Sequence, residues 1–328
     1  MSHIVFLEVD PQDEASILGR FPSARILRGT LQEEPNERWR DAEILSIFIY
    51  SQIGTEELKN LPKLRLLCTR SVGTNHIDLI ACKDRGVEVC NVPDYGSHVI
   101  AEHVFALLLG TLRHIHEGDE RVEGGKFNYH GLRGMALRGK TLGIIGTGKI
   151  GRRAAQIAHG FGMTILAVDQ CRTLELIDLL GVRYVSLSEL LSLSDIITLH
   201  IPATRETEHL MNAKTIAKMR DGVILVNTAR GEIIDSQALL QALISGKIAY
   251  ALLDVLEHER DFQWNKELIG HPRVITTPHI AFYADDSMRN MYSDCFASMQ
   301  QWLAGEQLVH RIPPLRIVCD SPAILSHL

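Results

Sequence analysis

The stretch TLGIIGTGKIGRRAA, residues 141–155, decides how this chain is read. Five strand-forming residues, 141–145, run into Gly146-Thr-Gly148-Lys-Ile-Gly151, and a helical pattern follows. Glycines at that spacing permit a tight turn at Gly146, close approach of backbone to a pyrophosphate at Gly148, and close helix–strand packing at Gly151. The amides at the helix N-terminus then face the phosphates. A bare glycine triplet is weak evidence, but here a strand precedes it and a helix follows, as the mechanism requires. The next strand, 164–168, ends in Asp169. A carboxylate there accepts hydrogen bonds from the adenosine ribose hydroxyls and repels a 2′-phosphate, which favours NAD over NADP. Arg172 close by softens that preference, and a merely solvated Asp at a strand end is the plain alternative.

Outward from this stretch, short β-branched runs alternate with helical patterns, the signature of parallel α/β architecture. Before it, residues 4–7, 44–49, 64–68 and 87–91 read as strands, and 55–60 and 77–85 as short helices. A long apolar-periodic helix covers 99–116. Residues 117–140, rich in Gly, Arg and His, lack clear periodicity and read as an extended loop or arm. After it, strands are expected at 164–168, 196–200, 222–227, 248–253 and 274–277, with helices at 150–160, 187–193, 213–219 and 236–246. A last helix, 286–303, leads to a tail bearing Pro313, Pro314 and Pro322.

The 328 residues suffice for two domains, each with its own core. Hydrophobic residues make up 45% and charged residues 23%, too apolar for a disordered chain. A formal net charge of −6 argues against a nucleic-acid partner, which calls for a strongly basic face. The apolar segment around 104–112 is too short to span a bilayer. The N-terminal MSHIVFLEVDPQDE turns acidic after a few apolar residues and reads as a first strand, so a cytoplasmic location without membrane contact is expected. Six cysteines without a C-x-x-C pair suggest neither a disulfide framework nor a thiol centre. The histidines show no metal-ligand spacing, and no metal is expected.

In open parallel sheets, ligands bind beyond the carboxyl ends of the strands. Three of the expected strands end there in Thr228-Ala-Arg230-Gly, in Asp254-Val-Leu-Glu-His-Glu259 and in Pro278-His279-Ile-Ala-Phe282, and Ile201–Pro202 follow a fourth. These groups suit hydride transfer to a 2-keto acid. Arg230 offers a planar fork for a carboxylate, His279 a proton for the carbonyl oxygen, and Glu259 a partner for the imidazolium. Asp254 is placed to accept from a nicotinamide carboxamide. Taken singly, each has a plainer reading as a structural histidine or a surface ion pair, and Glu257 rivals Glu259. Their joint placement on the edge of the glycine loop favours the catalytic one.

Five motifs carry a resemblance: TRSVGTNHID at 69–78, NVPDYGSHVIAEH at 91–103, LGIIGTGKIG at 142–151, VNTARGEIID at 226–235 and TPHIAFY at 277–283. Together they resemble the D-2-hydroxyacid dehydrogenase family over almost the whole chain. The Phe-Tyr after the histidine motif is more similar to its D-lactate dehydrogenase branch. The resemblance implies Arg230 as carboxylate binder, Glu259 rather than Glu257 as the partner of His279, and His279 as proton donor. It implies NAD contacts at Lys149, Ile150, Asp169, Ile201, Pro202, Thr207, Thr228, Ala229, Arg230 and Asp254, beside Gly146, Gly148 and Gly151. Substrate contacts carry over onto Val72, Gly73, Tyr95, Arg230 and Phe282. Departures at Leu256 and Arg260, where the family often has an aromatic and a proline, bear on substrate choice.

The implied fold is α/β, with two Rossmann-like or flavodoxin-like doubly wound parallel-sheet domains and a cleft between them. The substrate domain is 1–99 plus 299–328 and the NAD-binding Rossmann domain is 100–298, closing on each other. A homodimer through the NAD-binding domain is implied, served by the helix at 99–116 and the arm. The implied activity is reversible NADH-dependent reduction of a small 2-keto acid, pyruvate to D-lactate first. Alternatives are a hydroxypyruvate or glyoxylate reductase, a formate or phosphite enzyme (the former disfavoured by Glu259), or an NAD(H)-sensing binding protein like the C-terminal-binding-protein corepressors.

Overall fold

The computed structural model describes residues 3–312. The proline-bearing tail from 313, with Cys319, lies outside them. Twelve strands fall into two separate sheets among the described residues. The first holds β1 (Ile4–Phe6), β2 (Arg25–Ile26), β3 (Ile44–Ile47), β4 (Leu66–Thr69) and β5 (Glu88–Cys90), in the order β2-β1-β3-β4-β5. The second holds β6 (Thr141–Ile145), β7 (Thr164–Val168), β8 (Arg183–Tyr184), β9 (Ile196–Leu199), β10 (Val223–Asn227), β11 (Ile248–Leu253) and β12 (Val274–Thr276), in the order β12-β11-β10-β9-β6-β7-β8. Every ladder is parallel. Strands such as β9 and β10 are buried on both faces, which is why they read as unbroken apolar runs.

The described chain divides into two compact units, one from the N-terminal residues to Gly96 with a return at Ala284, the other Ser97–Tyr283. The sequence reading placed these divisions at 99/100 and 298/299. The second falls earlier because the whole helix Asp285–Ala304 belongs to the first unit. Its buried stripe of Met291, Tyr292, Cys295, Phe296 and Met299 recurs at helical spacing. Phe296 meets Phe21 and Phe6 edge-on, at 5.5 and 6.1 Å between ring centroids, and Cys295 Sγ lies 3.5 Å from Ser46 Oγ of β3.

In the second unit the chain enters at β6, winds outward to β7 and β8, then returns to build β9 to β12 on the other side. The order reverses between β6 and β9, and that switch point marks where such sheets bind ligands. The helices Ser97–Leu112 and Lys149–Gly160 pack together on one face. Phe105 and Phe161 stack there at 5.5 Å, nearly parallel.

Two expectations are corrected. The helix read as continuous over 99–116 ends at Leu112, because His114 takes a left-handed backbone (φ 51°). The arm read from 117 begins instead with a helix, Ile115–Glu123, none of whose residues is buried. With no core-facing stripe it left no apolar period to read. Beyond it Arg121 Nη1 donates to the carbonyls of Asn128 and His130, at 3.2 and 2.7 Å, and shapes the extended part.

Candidate active site

The glycine loop closes as the sequence requires. Gly146 follows β6 and its N–H donates to the Val168 carbonyl at 2.9 Å. Gly148 caps the helix Lys149–Gly160. A Cβ built on Gly151 would stand 1.9 Å from the Gly146 carbonyl oxygen, so only glycine permits this helix–loop contact. A Cβ on Gly148 would meet nothing within 4 Å. Open space above Gly148, at a helix N-terminus, fits a pyrophosphate.

Asp169 is tied to this loop. Its Oδ2 accepts from the Thr147 N–H and, at 2.9 Å, from the Thr147 hydroxyl, and its Oδ1 accepts from Cys171 N–H at 2.9 Å. Tyr184 Oη, on the edge strand β8, sits 2.9 Å from the same Thr147 hydroxyl. Thr147 and Tyr184 thus aim the acidic residue, a role sequence reasoning missed because β8 is only two residues long. On the other side of the switch point, Thr207 Oγ1 donates to the Pro202 carbonyl at 2.7 Å and accepts from Thr204 N–H at 2.8 Å. These bonds close the loop after β9 around Ile201–Pro202.

His200, the first residue of that loop, bonds Thr198 Oγ1 through Nε2 at 3.0 Å, while its buried Nδ1 has no partner among the described residues. Burial pushes its imidazole down to about 4. His103 moves the same way, burial outweighing the charge of Asp254. The linkage sign follows: the unfolded chain takes up a proton near pH 6.5 that folded His200 refuses until about 4. Stability therefore falls as pH drops through that interval, by about 3 kcal/mol for this residue. His200→Gln should flatten the decline of the melting temperature between pH 6.5 and 4; an unchanged slope would assign the acid sensitivity elsewhere.

Three strand ends present the remaining groups. After β10 the buried Asn227 builds the turn: its Nδ2 donates to the Arg230 carbonyl at 2.8 Å, and its Oδ1 accepts from Ala229 N–H at 3.0 Å. Thr228 is buried and Ala229 half-buried in this turn, and Arg230 Nη1 donates to the Ala229 carbonyl at 2.6 Å. Asp254, after β11, is buried. Its Oδ1 accepts from the Thr277 hydroxyl at 2.6 Å and Ile280 N–H at 2.9 Å, and its Oδ2 from Ala281 N–H at 2.9 Å. Its carbonyl accepts from His279 N–H at 2.9 Å. Sequence reasoning aimed this carboxylate at a cofactor amide, whereas most of its accepting capacity is spent on residues 277–281. His103 Nε2 stands behind, 3.1 Å from Thr277 Oγ1.

That scaffold fixes His279, whose backbone is left-handed at φ 54°. Its Nδ1 lies 3.1 Å from Glu259 Oε2. Glu257 pairs instead with His209, 2.7 Å away, which separates the two rival carboxylates. The Phe282 ring meets the His279 ring edge-on at 6.4 Å and Tyr283 at 5.8 Å.

In the first unit the expected substrate contacts Val72, Gly73 and Tyr95 sit in the loops after β4 and β5. Arg70, fully buried, donates to Ser46 Oγ and to the carbonyls of Leu7 and Glu8, at 2.7, 2.7 and 2.9 Å, and lies over the Tyr292 ring. It anchors the loop after β4. There the Gly73 carbonyl accepts from Ser71 Oγ and the Val72 carbonyl from Asn91 Nδ2, at 2.7 and 2.8 Å. The Tyr95 carbonyl accepts from Asn290 Nδ2 at 3.5 Å.

A doubly wound sheet with a glycine loop, an acid at the next strand end and a carboxylate-paired histidine defines a dinucleotide-dependent dehydrogenase. Residues 105–281 match the family described as D-isomer specific 2-hydroxyacid dehydrogenase, NAD binding domain. The D-lactate dehydrogenase of Treponema pallidum is 41% identical over 257 residues, 74% of this chain and 77% of that one. The glyoxylate reductase of Pyrococcus furiosus is 37% identical over 79% of this chain and 80% of its own. A D-lactate dehydrogenase from Aquifex aeolicus, solved with NAD and lactic acid, superposes with a TM-score of 0.84 at 34% identity, covering 93% of this chain and 96% of that one. The chain belongs to the D-isomer specific 2-hydroxyacid dehydrogenases. It is an NAD-dependent oxidoreductase acting on the CH–OH group of D-2-hydroxy acids.

Proposed function

We propose that this enzyme reduces pyruvate to D-lactate, with Arg230, Glu259 and His279 as its working residues. The observation that carries the assignment of roles is the His279–Glu259 contact of 3.1 Å beside the aromatic pair Phe282 and Tyr283. NADH, when bound, supplies the hydride that reduces the carbonyl carbon. Arg230 grips the substrate carboxylate through its guanidinium fork. His279 gives its Nε2 proton to the carbonyl oxygen, and Glu259 accepts from Nδ1 and steadies the imidazolium. Asp254 keeps the His279 segment in place, while Val72, Gly73 and Tyr95 supply substrate contacts from the first unit. Residues 97–283 serve as the cofactor-binding unit, held together at the glycine loop, Asp169, the 201–207 loop and the Thr228–Ala229 turn.

The choice of pyruvate draws on likeness to D-lactate dehydrogenases of Treponema pallidum and Escherichia coli. Likeness to glyoxylate reductases supports glyoxylate or hydroxypyruvate as the second reading. Comparing kcat/KM for pyruvate, phenylpyruvate, 2-ketoisocaproate, hydroxypyruvate and glyoxylate decides between them. Pyruvate is expected to lead, and a preference for glyoxylate overturns the assignment. Repeating the series with NADPH tests Asp169: NADH should be favoured at least tenfold, a step of about 1.4 kcal/mol.

We also propose a cytoplasmic homodimer. No helix among the described residues is long and apolar enough to cross a membrane. Phe127 and Tyr129 stand almost wholly exposed on the arm, the kind of aromatic surface a partner subunit covers.

A further inference from the structure

Two loops at the carboxyl edge of the second sheet are tied together across a strand that separates them. One, 200–211, follows β9; the other, 254–261, follows β11; β10 lies between. The tie is His209 Nε2 to Glu257 Oε1 at 2.7 Å. His209 is left-handed (φ 49°); its N–H donates to the Glu232 carbonyl at 2.9 Å and its carbonyl accepts from Asn212 Nδ2 at 2.8 Å. The second oxygen of Glu257 accepts from Ser236 N–H at 3.2 Å.

Beneath the tie lies Gly231, the residue after Arg230. A Cβ there would stand 2.0 Å from the carbonyl carbon and oxygen of Leu256. The backbone of the 254–261 loop therefore rests directly on the turn that carries Arg230. Asn265 closes the loop from the other side, its Nδ2 donating to the carbonyls of Glu257 and His258 at 2.8 and 3.1 Å.

The groups facing His209 are acidic: Glu257 first, then Asp235 and Glu208. Its hydrogen bond to Glu257 outweighs burial and holds the imidazole above its ordinary value. Burial pushes Glu257 up, but hydrogen bonds from His209 and Ser236 prevail and hold it below the usual range. Each partner thus favours the charged form of the other.

We propose that the His209–Glu257 pair is a positioning strap: it pins the loop that carries Glu259 over the turn that carries Arg230, and so sets the register in which Glu259 meets His279. This rests on the reading of Glu259 and His279 given above. Glu257 and His209 are positioning residues, acting through Glu259 and not on the substrate. With the pair broken, residues 256–259 keep the Gly231 contact, the Asn265 bonds and the packing of Leu256 and His258, but lose the tie to the 200–211 loop, and Glu259 shifts from His279.

The test uses the enzyme with NADH and the best 2-keto acid. Glu257→Ala should lower kcat by roughly 10- to 100-fold, the scale of an ångström-level misplacement. NADH affinity, read by fluorescence titration, should hold. His209→Gln should match that loss, the double variant should be no worse than either single one, and Glu257→Gln should recover part of it. The alkaline fall of kcat should be shallower in His209→Gln than in the parent, since the tie can no longer weaken by loss of the His209 proton. Wild-type kcat in Glu257→Ala, a lowered melting temperature with kcat unchanged, or losses that multiply in the double variant would each overturn the strap. His279→Ala serves as the control. If it too leaves turnover untouched, the reading of His279 is at fault; if it abolishes turnover while Glu257→Ala is silent, only the strap falls.

Discussion

His279→Ala is expected to lower kcat for keto-acid reduction by about 10²–10⁴-fold, the contribution of a positioned proton donor. The residue is held at every level of the local structure. Asp254 receives the N–H groups of His279, Ile280 and Ala281 and the hydroxyl of Thr277, so the segment keeps its path when the imidazole is removed. Its left-handed backbone adds a complication, since alanine at φ 54° is strained by about 1–2 kcal/mol. His279→Asn removes that ambiguity, because asparagine tolerates the left-handed region. Both variants should lose kcat alike, with NADH binding retained in fluorescence titration. Retained turnover in either would remove His279 from the proton transfer.

Arg230→Lys is expected to raise KM for the keto acid by roughly 10- to 100-fold, about 1.5–3 kcal/mol, with a much smaller change in KM for NADH. Charge is conserved, so the loss measures geometry: a lysine ammonium is a point donor where the guanidinium offers two parallel N–H groups. The Asn227 side chain bonds the backbone of the turn, at Arg230 O and Ala229 N, and neither bond depends on the side chain at 230. The turn should survive the substitution. Equal effects on both KM values would show that the turn itself had moved and that the fork is not the binding element.

What the sequence made legible was set by local rules. The glycine loop, the strand ends and the order of chemical groups along the carboxyl edge follow from short β-branched runs and glycine spacing, which need no long-range knowledge. Thr147 and Tyr184 were not legible, because their roles lie in hydrogen bonds between segments distant in sequence. Nothing local marked Arg70 either: it is buried with a hydroxyl acceptor from β3 and carbonyl acceptors from the loop after β1. The helix Ile115–Glu123 escaped for the opposite reason: it buries nothing, so composition alone had to carry it. The rivalry of Glu257 and Glu259 could be settled by residue type only through the resemblance. In the fold, His209 takes one and His279 the other.

The most direct test follows the loss of NADH absorbance at 340 nm on mixing the enzyme with pyruvate, with chiral analysis of the product. Turnover above about 10 s⁻¹, a typical enzyme value, with D-lactate as the product is the expected result. NADH binding without turnover, or formation of L-lactate, would contradict it.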